Sequence, residues 1–166
     1  MDNQIISLKT PVRVLFVCLG NICRSVTAEE IFRTNVKDAG LQASIVADSA
    51  GLIDYHEGEL ADSRMRQHAF AHGYRLTHRS RPVVVADFED FDIIVAMDEN
   101  NVKGLMQRSS GHQQHKIVRM VDYLQSHEAN HIPDPYYGTA KDFEWVIELL
   151  EDACEGLLKD LLSRNS

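Results

Sequence analysis

The stretch "VLFVCLGNICRS", residues 14 to 25, decides how the chain folds. It opens with an apolar run without polar alternation, which is typical of a strand covered on both faces in a parallel sheet. The run ends on Cys18, and Gly20 and Asn21 follow as the residue types that most readily adopt left-handed backbone angles. The stretch therefore predicts a strand, a tight loop and the start of a helix, with a thiol and the guanidinium of Arg24 in the loop.

Apolar runs and helical patterns alternate along the rest of the chain. Strands are predicted over residues 12–17, 43–47, 91–97 and 115–121. Helices are predicted over residues 25–40, from near 62 to 73, and from about 141 onwards. This alternation favours an α/β fold, a three-layer sandwich with a central four-stranded parallel sheet flanked by helices. Because no repeat or linker divides the sequence, residues 1–166 are predicted to form a single domain, with 106–115 as a surface loop.

The first and last predicted helices have recognisable boundaries and apolar faces. In the first, Ser25 is available as the N-terminal cap and Gly40 as the stop. In the last, one apolar stripe consists of Phe143, Val146, Ile147, Leu150, Cys154, Leu157, Leu158 and Leu161. This stripe is expected to pack on the sheet, which makes the Cys154 thiol an inert part of the core.

Composition and charge restrict the possible partners. The 166 residues include 17 basic and 25 acidic residues, for a formal net charge of −8. This balance argues against broad binding to nucleic acid or to anionic membranes, so an anion site must be positive locally. The sequence contains no run of 18 apolar residues and no signal-peptide pattern. Three cysteines, an odd number, do not indicate a disulfide framework, and a cytoplasmic location without membrane insertion is predicted.

The loop from Leu19 to Ser25 combines the features of an anion site. Where a strand ends and a helix begins, backbone N–H groups and the positive helix terminus converge on one point. Arg24 adds a planar fork that can hold two oxygens of a phosphate-sized dianion. The same positive surroundings favour the thiolate form of Cys18, which places a nucleophile beneath the bound anion.

A thiolate that attacks a phosphate ester needs an acid elsewhere in the chain, because a phenolate of pKa about 10 leaves poorly when unprotonated. The segment "IPDPYYG", residues 132–138, places Asp134 between two prolines that stiffen a short loop. Tyr136 and Tyr137 beside it are candidate aromatic walls for a ring-bearing substrate. The loop, the acid and the aromatic residues fit one reaction, the attack of a thiolate on the phosphate ester of a phenol.

These motifs resemble those of a known family. "CLGNICRS", residues 18–25, is the C-x5-R-S signature of cysteine-dependent phosphatases, and "DPYYG" follows about 115 residues later. Together they resemble the low-molecular-weight protein tyrosine phosphatase family, over nearly the whole chain. The resemblance implies hydrolysis of phosphotyrosine in proteins through a cysteinyl-phosphate intermediate. Cys18 would be the nucleophile, Arg24 the phosphate and transition-state clamp, and Asp134 the general acid and then the base.

The resemblance also implies a supporting network around the loop. Asn21 would brace the loop together with Ser49 and His72. Ser25 would donate a hydrogen bond to the Cys18 thiolate.

Substrate contacts follow from the same resemblance. Tyr55 occupies a position that shapes substrate preference in the family, and Cys23 matches a thiol that forms a reversible disulfide with Cys18 in some members. The residues expected to bind substrate are Leu19, Gly20, Asn21, Ile22, Cys23, Ser25, Tyr55, Tyr136 and Tyr137.

Two other functions fit parts of the pattern. A thiol-dependent arsenate reductase on the same architecture would bind arsenate through the same loop. It needs further cysteines that pass on the oxidising equivalent, and Cys154, on the apolar stripe, is poorly placed for that. A module that binds phosphotyrosine without hydrolysing it is the other alternative, although Cys18, Arg24 and Asp134 are all present.

Metal and nucleotide sites have weaker support. His68 with His72, and His112 with His115, have spacings that helical metal ligands can use, but no acidic or cysteine motif accompanies them. The glycine patterns of nucleotide-binding loops are absent. The sequence therefore predicts phosphotyrosine-containing proteins as substrates, with no metal and no organic cofactor.

Overall fold

The computed structural model describes residues 11–164. Four strands form one sheet: β1 Val12–Cys18, β2 Ile45–Gly51, β3 Ile93–Ala96 and β4 Ile117–Arg119. The α-helices in this part of the chain are α1 Arg24–Asp38, α2 Ser63–Ala71, α3 Asp87–Asp90, α4 Glu99–Arg108 and α5 Ala140–Arg164. Short 3-10 helices over Gly111–Lys116 and Met120–Tyr123 flank β4.

The sheet is parallel throughout and lies between two layers of helices. Its strand order is β2-β1-β3-β4. Along β1, Val14 and Phe16 belong to the core shared with α1 and α5, whereas Leu15 and Val17 belong to the core on the α3 and α4 side. Both faces of β1 are therefore covered, which explains its apolar run without alternation. The predicted three-layer α/β sandwich with a four-stranded parallel sheet is confirmed.

The last helix packs as its apolar stripe predicts. Its buried residues include Phe143, Val146, Ile147, Leu150, Cys154, Leu157, Leu158 and Leu161. The Cys154 sulfur lies 3.6 Å from the carbonyl oxygen of Ala28 on α1. Burial raises the pKa of this thiol, so Cys154 stays protonated within the core, as predicted.

The start of α1 differs from the sequence prediction. Cys23, not Ser25, is the N-cap residue, and no side chain caps the helix. Ser25 lies inside the first turn, where its hydroxyl has other partners. The end of the helix is as predicted, because Gly40 adopts a φ of 73° beyond the C-cap.

Other boundaries depend on contacts between distant segments. The strand predicted over 43–47 is β2, shifted towards its carboxyl end, because pairing with β1 continues through polar and small residues as far as Gly51 opposite Cys18. The sequence analysis predicts no helix over Glu99–Arg108, although α4 forms there behind its N-cap Asp98. The expected surface loop over 106–115 is partly helical, since α4 extends to Arg108 and a 3-10 helix begins at Gly111.

The carboxyl ends of the strands bring the predicted functional segments to one edge of the sheet. β1 ends at Cys18, and its neighbours β2 and β3 end at Gly51 and Ala96. The loops that follow these strands share that edge, which is where parallel α/β sheets bind ligands. Within residues 11–164, no helix combines the length and the apolar character needed to cross a bilayer.

Candidate functional site

Asn21 fixes the shape of the loop between β1 and α1. It is buried and has a φ of 57°, the left-handed conformation that the sequence predicts for it. Its Nδ2 donates to Ser25 Oγ at 2.8 Å and to Ser49 Oγ at 3.0 Å. Its Oδ1 accepts from His78 Nε2 at 2.9 Å and from the Arg81 backbone amide at 3.1 Å. Because every hydrogen-bonding group of this side chain is engaged, the loop is shaped before any ligand arrives.

Gly20 contributes space rather than an unusual backbone angle. Its φ is not positive, contrary to the prediction. A Cβ at this position would lie 3.3 Å from His56 Cδ2, so a glycine lets the imidazole pack closely over the loop.

The histidine of the supporting network is His78, and the prediction for His72 is wrong. His72 Nε2 lies 2.7 Å from Glu144 Oε1, because α2 ends against α5 and not against the loop. Ser49 does reach Asn21, and its hydroxyl donates to Glu29 Oε1 at 2.6 Å. Sequence spacing does not distinguish His78 from the other histidines, so only the tertiary structure identifies it.

Behind this network lies a group of residues with metal-ligand chemistry. His78 Nδ1 lies 3.3 Å from Glu29 Oε1 and 3.5 Å from Asp48 Oδ1. These ligand atoms all lie within 4.8 Å of one another, and no second group of this kind occurs in residues 11–164. Arg33 and Arg81 pair with the two carboxylates, so the group is an ion-pair network as it stands.

Three of the four histidines considered as metal ligands have other partners. His68 and His72 both bond to Glu144, at 2.6 and 2.7 Å. His112 bonds to Glu89 at 2.8 Å and to the Ser110 hydroxyl at 3.0 Å. These bonds occupy both ring nitrogens of His112 and one ring nitrogen in each of His68 and His72.

Cys18 lies at the floor of a cavity of about 330 Å³. Its relative exposure is 3%, and its sulfur lies 3.0 Å from Ser25 Oγ. Since Ser25 Oγ already accepts a hydrogen bond from Asn21, its own hydroxyl proton is available to the Cys18 sulfur. Cys23 also lines the cavity, but burial, together with the negative charge at Cys18, raises its pKa. Cys23 is therefore held in its protonated form.

The backbone carbonyls of the loop point into the protein. Leu19 O accepts from the amides of Leu52 and Ile53, at 2.9 and 3.1 Å. Gly20 O accepts from Ser80 Oγ at 3.0 Å, and Ile22 O accepts from the Asp62 amide at 2.9 Å. By contrast, none of the amides of residues 19–23 donates to a group within residues 11–164. The loop thus keeps a set of donors available beside the cavity.

Arg24 is anchored by one half of its guanidinium. Nη1 donates to Asp98 Oδ2 at 2.7 Å and to Ile132 O at 3.0 Å. Nη2 lies 3.7 Å from Asp134 Oδ2, and the buried Nε has no hydrogen-bond partner among the described residues. Burial alone would lower the pKa of Arg24, but the negative charge of Cys18 and the bond to Asp98 raise it above its usual value. The Nε–Nη2 edge of a permanently charged fork is therefore available to a ligand.

The segment that carries Asp134 closes the other side of the cavity. Ile132 N donates to Met97 O at 2.8 Å, which ties the segment to the end of β3. Asp134 Oδ1 accepts from the Tyr136 amide at 3.1 Å, while the carboxylate remains 45% exposed. The acid therefore faces both solvent and the free edge of Arg24.

Aromatic rings form the walls of the cavity. His56 lies between Tyr55 and Tyr136, with ring centroids 4.8 and 6.2 Å away. Tyr137 packs edge-on against Tyr136 at 4.9 Å and is 94% exposed. The cavity is lined by Cys18, Leu19, Gly20, Ile22, Cys23, Arg24, Ile53, Tyr55, His56, Asp134, Tyr136 and Tyr137.

Two of the predicted substrate-binding residues are absent from the lining. Asn21 and Ser25 lie beneath the cavity, where they hold the loop and the Cys18 sulfur. Conversely, two residues of the site were not predicted from the sequence: His56, which lines the cavity, and Asp98, which anchors Arg24. Asp98 directly follows a predicted strand, so the rule that ligand sites lie at the carboxyl ends of parallel strands could have identified it.

The fold and the site together define an α/β protein with a cysteine, an arginine and free amides in one loop beside the cavity. Comparison with known proteins narrows this class. Residues 13–166 match the model of the family described as low molecular weight phosphotyrosine protein phosphatase. The chain belongs to that family and to the protein tyrosine phosphatases among enzymes.

Individual relatives are similar over most of their length. A low molecular weight protein-tyrosine-phosphatase of Streptomyces coelicolor is 41% identical over 149 residues, which cover 88% of this chain and 91% of the relative. The low molecular weight phosphotyrosine protein phosphatase of Sus scrofa is 37% identical and covers 88% and 93%. A crystal structure of a protein tyrosine phosphatase from Entamoeba histolytica is 45% identical, with a TM-score of 0.90 and coverage of 92% and 97%.

Proposed function

We propose that the chain hydrolyses phosphotyrosine in proteins through a cysteinyl-phosphate intermediate. The observation that carries this proposal is the set of unused donors at the cavity floor. The amides of residues 19–23 and the Nε–Nη2 edge of Arg24 have no hydrogen-bonded acceptor in residues 11–164. A buried donor without a partner, such as Arg24 Nε, is costly, and a phosphate dianion would satisfy it together with the free amides.

Cys18 is the proposed nucleophile. Its thiolate attacks phosphorus, an S–P bond forms and the bond from phosphorus to the tyrosine oxygen breaks. The hydroxyl of Ser25, 3.0 Å away, donates to the sulfur and stabilises its anionic form. Arg24 clamps two phosphoryl oxygens through its free edge and stabilises the charge that develops on them in the transition state.

Asp134 is the proposed acid and then base. In the first step, its carboxyl proton moves to the leaving tyrosine oxygen. In the second step, the carboxylate takes a proton from the water that attacks phosphorus, which releases inorganic phosphate and restores the Cys18 thiolate. Its position 3.7 Å from Arg24 Nη2 places it beside the proposed phosphate site. The walls formed by Tyr55, His56 and Tyr136 suit an aromatic leaving group.

The alternatives have less support. An arsenate reductase would need additional thiols that pass the oxidising equivalent outward. Cys23 beside Cys18 is only 3% exposed and burial raises its pKa, and Cys154 is fully buried in the core. A non-catalytic module would have no use for an acid beside the phosphate site, yet Asp134 is there. The proposed reaction uses no metal or organic cofactor, and we place it in the cytoplasm, where thiols stay reduced.

Two measurements test the proposal. The activity of the Cys18→Ser variant is assayed, and the unchanged chain is quenched rapidly with acid during turnover to trap its phosphorylated intermediate. We expect 32P from labelled phosphotyrosyl peptide to appear on Cys18 of the unchanged chain during turnover. The variant is expected to bind inorganic phosphate but to lose at least about 10³-fold in activity, the scale seen when a nucleophile is removed. Turnover by Cys18→Ser at a rate near that of the unchanged chain would exclude the mechanism.

A further inference from the structure

Arg64, in the first turn of α2, bridges two loops that lie far apart in the sequence. Its Nη2 donates to the backbone carbonyl of Tyr136 at 2.8 Å. Its Nε and Nη2 also donate to the two carboxylate oxygens of Asp62, at 3.1 and 2.9 Å. The guanidinium lies over the rings of Tyr136 and Phe143, 5.6 and 4.9 Å from their centroids. Arg64 is thus fixed by several contacts, although its side chain is 44% exposed.

Both ends of this bridge reach the catalytic groups proposed above. At one end, the Asp62 amide donates at 2.9 Å to the carbonyl of Ile22 in the phosphate loop. At the other end, the Tyr136 amide donates at 3.1 Å to Asp134 Oδ1. A continuous path of polar contacts therefore runs from the phosphate loop, through Asp62 and Arg64, to the carboxylate of Asp134.

Few other polar contacts hold the middle of the acid loop, residues 132–138. Its beginning is tied by Ile132, whose carbonyl accepts from Arg24 and whose amide donates to Met97. Beyond its end, the Thr139 amide donates at 2.6 Å to Asp142 in the first turn of α5. Among the described residues, the polar contacts that reach residues 133–138 from elsewhere in the chain are those of Arg64 with Tyr136 and of Arg24 with Asp134.

We propose that Arg64 is a positioning residue that sets the distance between the Asp134 carboxyl group and the phosphate loop. This inference rests on the proposed role of Asp134 as general acid. Arg64 itself touches no reacting atom. It acts by holding the Tyr136 backbone, so that the carboxyl group stays within reach of the leaving oxygen, which proton transfer requires.

The test compares two aryl phosphates in Arg64→Met, which keeps an unbranched apolar side chain against the rings but removes the three hydrogen bonds. For phenyl phosphate, whose leaving group needs a proton, kcat/KM should fall about tenfold. For 4-nitrophenyl phosphate, whose leaving group departs readily, the loss should stay below about threefold. Inhibition by inorganic phosphate should be unchanged, because the phosphate loop keeps its donors. If Arg64 had only a structural role, its loss would weaken the hydrolysis of both substrates and the binding of inorganic phosphate to the same degree.

Arg66→Met is the matched control. Arg66 lies on the same helix, and its Nε donates to Ala61 O at 3.0 Å and not to the acid loop. Both substrates should be hydrolysed by this variant as by the unchanged chain. Equal losses on the two substrates in Arg64→Met, or no loss on either, would overturn the inference.

Arg64→Lys keeps the inference testable if the methionine variant does not fold. A lysine ammonium cannot bond to both oxygens of Asp62 and to the Tyr136 carbonyl with the planar geometry of a guanidinium. The same preference for the activated substrate is expected, to a smaller degree. A variant that folds and treats both substrates as the unchanged chain does would contradict the positioning role.

Asp134→Ala separates the failure of this inference from the failure of the proposed function. If Asp134→Ala hurts both substrates equally, the acid role itself is wrong. If Asp134→Ala loses more activity on phenyl phosphate than on 4-nitrophenyl phosphate and Arg64→Met does not, the positioning role alone is wrong. In the double variant, Arg64→Met should add no further selectivity, because the acid that it positions is absent.

Discussion

The two loops that meet at the cavity are held in different ways. The phosphate loop, residues 18–25, is buried except at Leu19 and Gly20, and Asn21 at its centre uses all its side-chain hydrogen-bonding groups. The acid loop is exposed at its centre, where the Asp134 side chain is 45% exposed and Tyr137 is 94% exposed. Buried and satisfied networks are rigid, whereas exposed segments with few contacts open at little cost. The half of the site that is proposed to bind phosphate is thus preformed, while the half that is proposed to move protons depends on a few contacts.

The largest effect after loss of the nucleophile is expected from Arg24→Lys, within the rigid half. A lysine has no planar fork, so it cannot hold Asp98 and Ile132 with one half of its head group and a phosphate with the other. We expect kcat/KM to fall about 10³-fold for every aryl phosphate, whatever its leaving group. Steady-state assays on a series of aryl phosphates with different phenol leaving groups check this. A loss that depends strongly on the leaving group would show that the roles of the two loops cannot be separated.

The next effect belongs to the acid loop. Asp134→Ala should lower kcat/KM for phenyl phosphate about 10²-fold but for 4-nitrophenyl phosphate only a few-fold. The reason is that only the poor leaving group needs a proton in the transition state. A plot of kcat/KM against leaving-group pKa measures the difference. Equal losses for every leaving group would show that the acid loop and the phosphate loop do not have distinct roles.

Asn21→Ala tests whether the phosphate loop is preformed. The variant loses four hydrogen bonds and leaves a side chain with a Cβ at a φ of 57°, so we expect about 2–4 kcal/mol lower stability. Activity should fall about tenfold on both aryl phosphates, because the donors are displaced together. Urea unfolding and the two assays measure this.

Asn21→Gly is the control for backbone strain. Glycine tolerates the positive φ, so this variant should be about 1 kcal/mol more stable than Asn21→Ala while losing the same hydrogen bonds. If both variants bind phosphate as the unchanged chain does, the loop does not depend on its network.

The smallest effect on catalysis is expected far from both loops, at Asp152. Partial burial would raise the pKa of Asp152, but hydrogen bonds from His127 and from the amides of residues 125–127 lower it. The hydrogen bond to Asp152 raises the pKa of His127. Because the pKa of Asp152 is lower in the folded state, its ionisation stabilises the fold at pH values above its unfolded pKa near 4. This stabilisation is lost as the pH falls through the folded pKa. A raised histidine pKa stabilises the fold below about 6.5, and this is lost as pH rises through the folded pKa.

Asp152→Asn should therefore lower the Tm most between about pH 4 and 6.5, with a smaller difference at either side. Activity on both aryl phosphates should not change. Glu148→Gln is the milder control, because Glu148 makes a single bond to His127, at 3.0 Å. Thermal unfolding measured from pH 3 to 9 checks the profile, and a difference that does not vary with pH would contradict this account.

The sequence predicted the phosphate loop better than its surroundings. The residues from Cys18 to Ser25 are contiguous, so a strand, a loop and a helix bring them together through local geometry alone. Asp134 was also predicted, because prolines and tyrosines mark its segment. By contrast, His72 was predicted to support Asn21 in place of His78, because no feature of the neighbouring sequence distinguishes the two histidines. Arg64 was missed for the same reason, since its proposed role depends on a partner 72 positions away. Asp98 was also missed, although its position at the end of a predicted strand could have identified it.

By itself, the sequence determined that the chain forms a parallel α/β sheet and that a thiol and a guanidinium share the loop after its first strand. Hydrophobic periodicity and the conformational preferences of glycine and asparagine act over a few residues, so they can be read directly. Only the tertiary structure decided which edge of Arg24 stays free, which histidine supports Asn21 and what holds Asp134 in place. Those outcomes depend on the order of the strands in the sheet, which brings distant segments to one edge and lets their polar groups compete for the same partners.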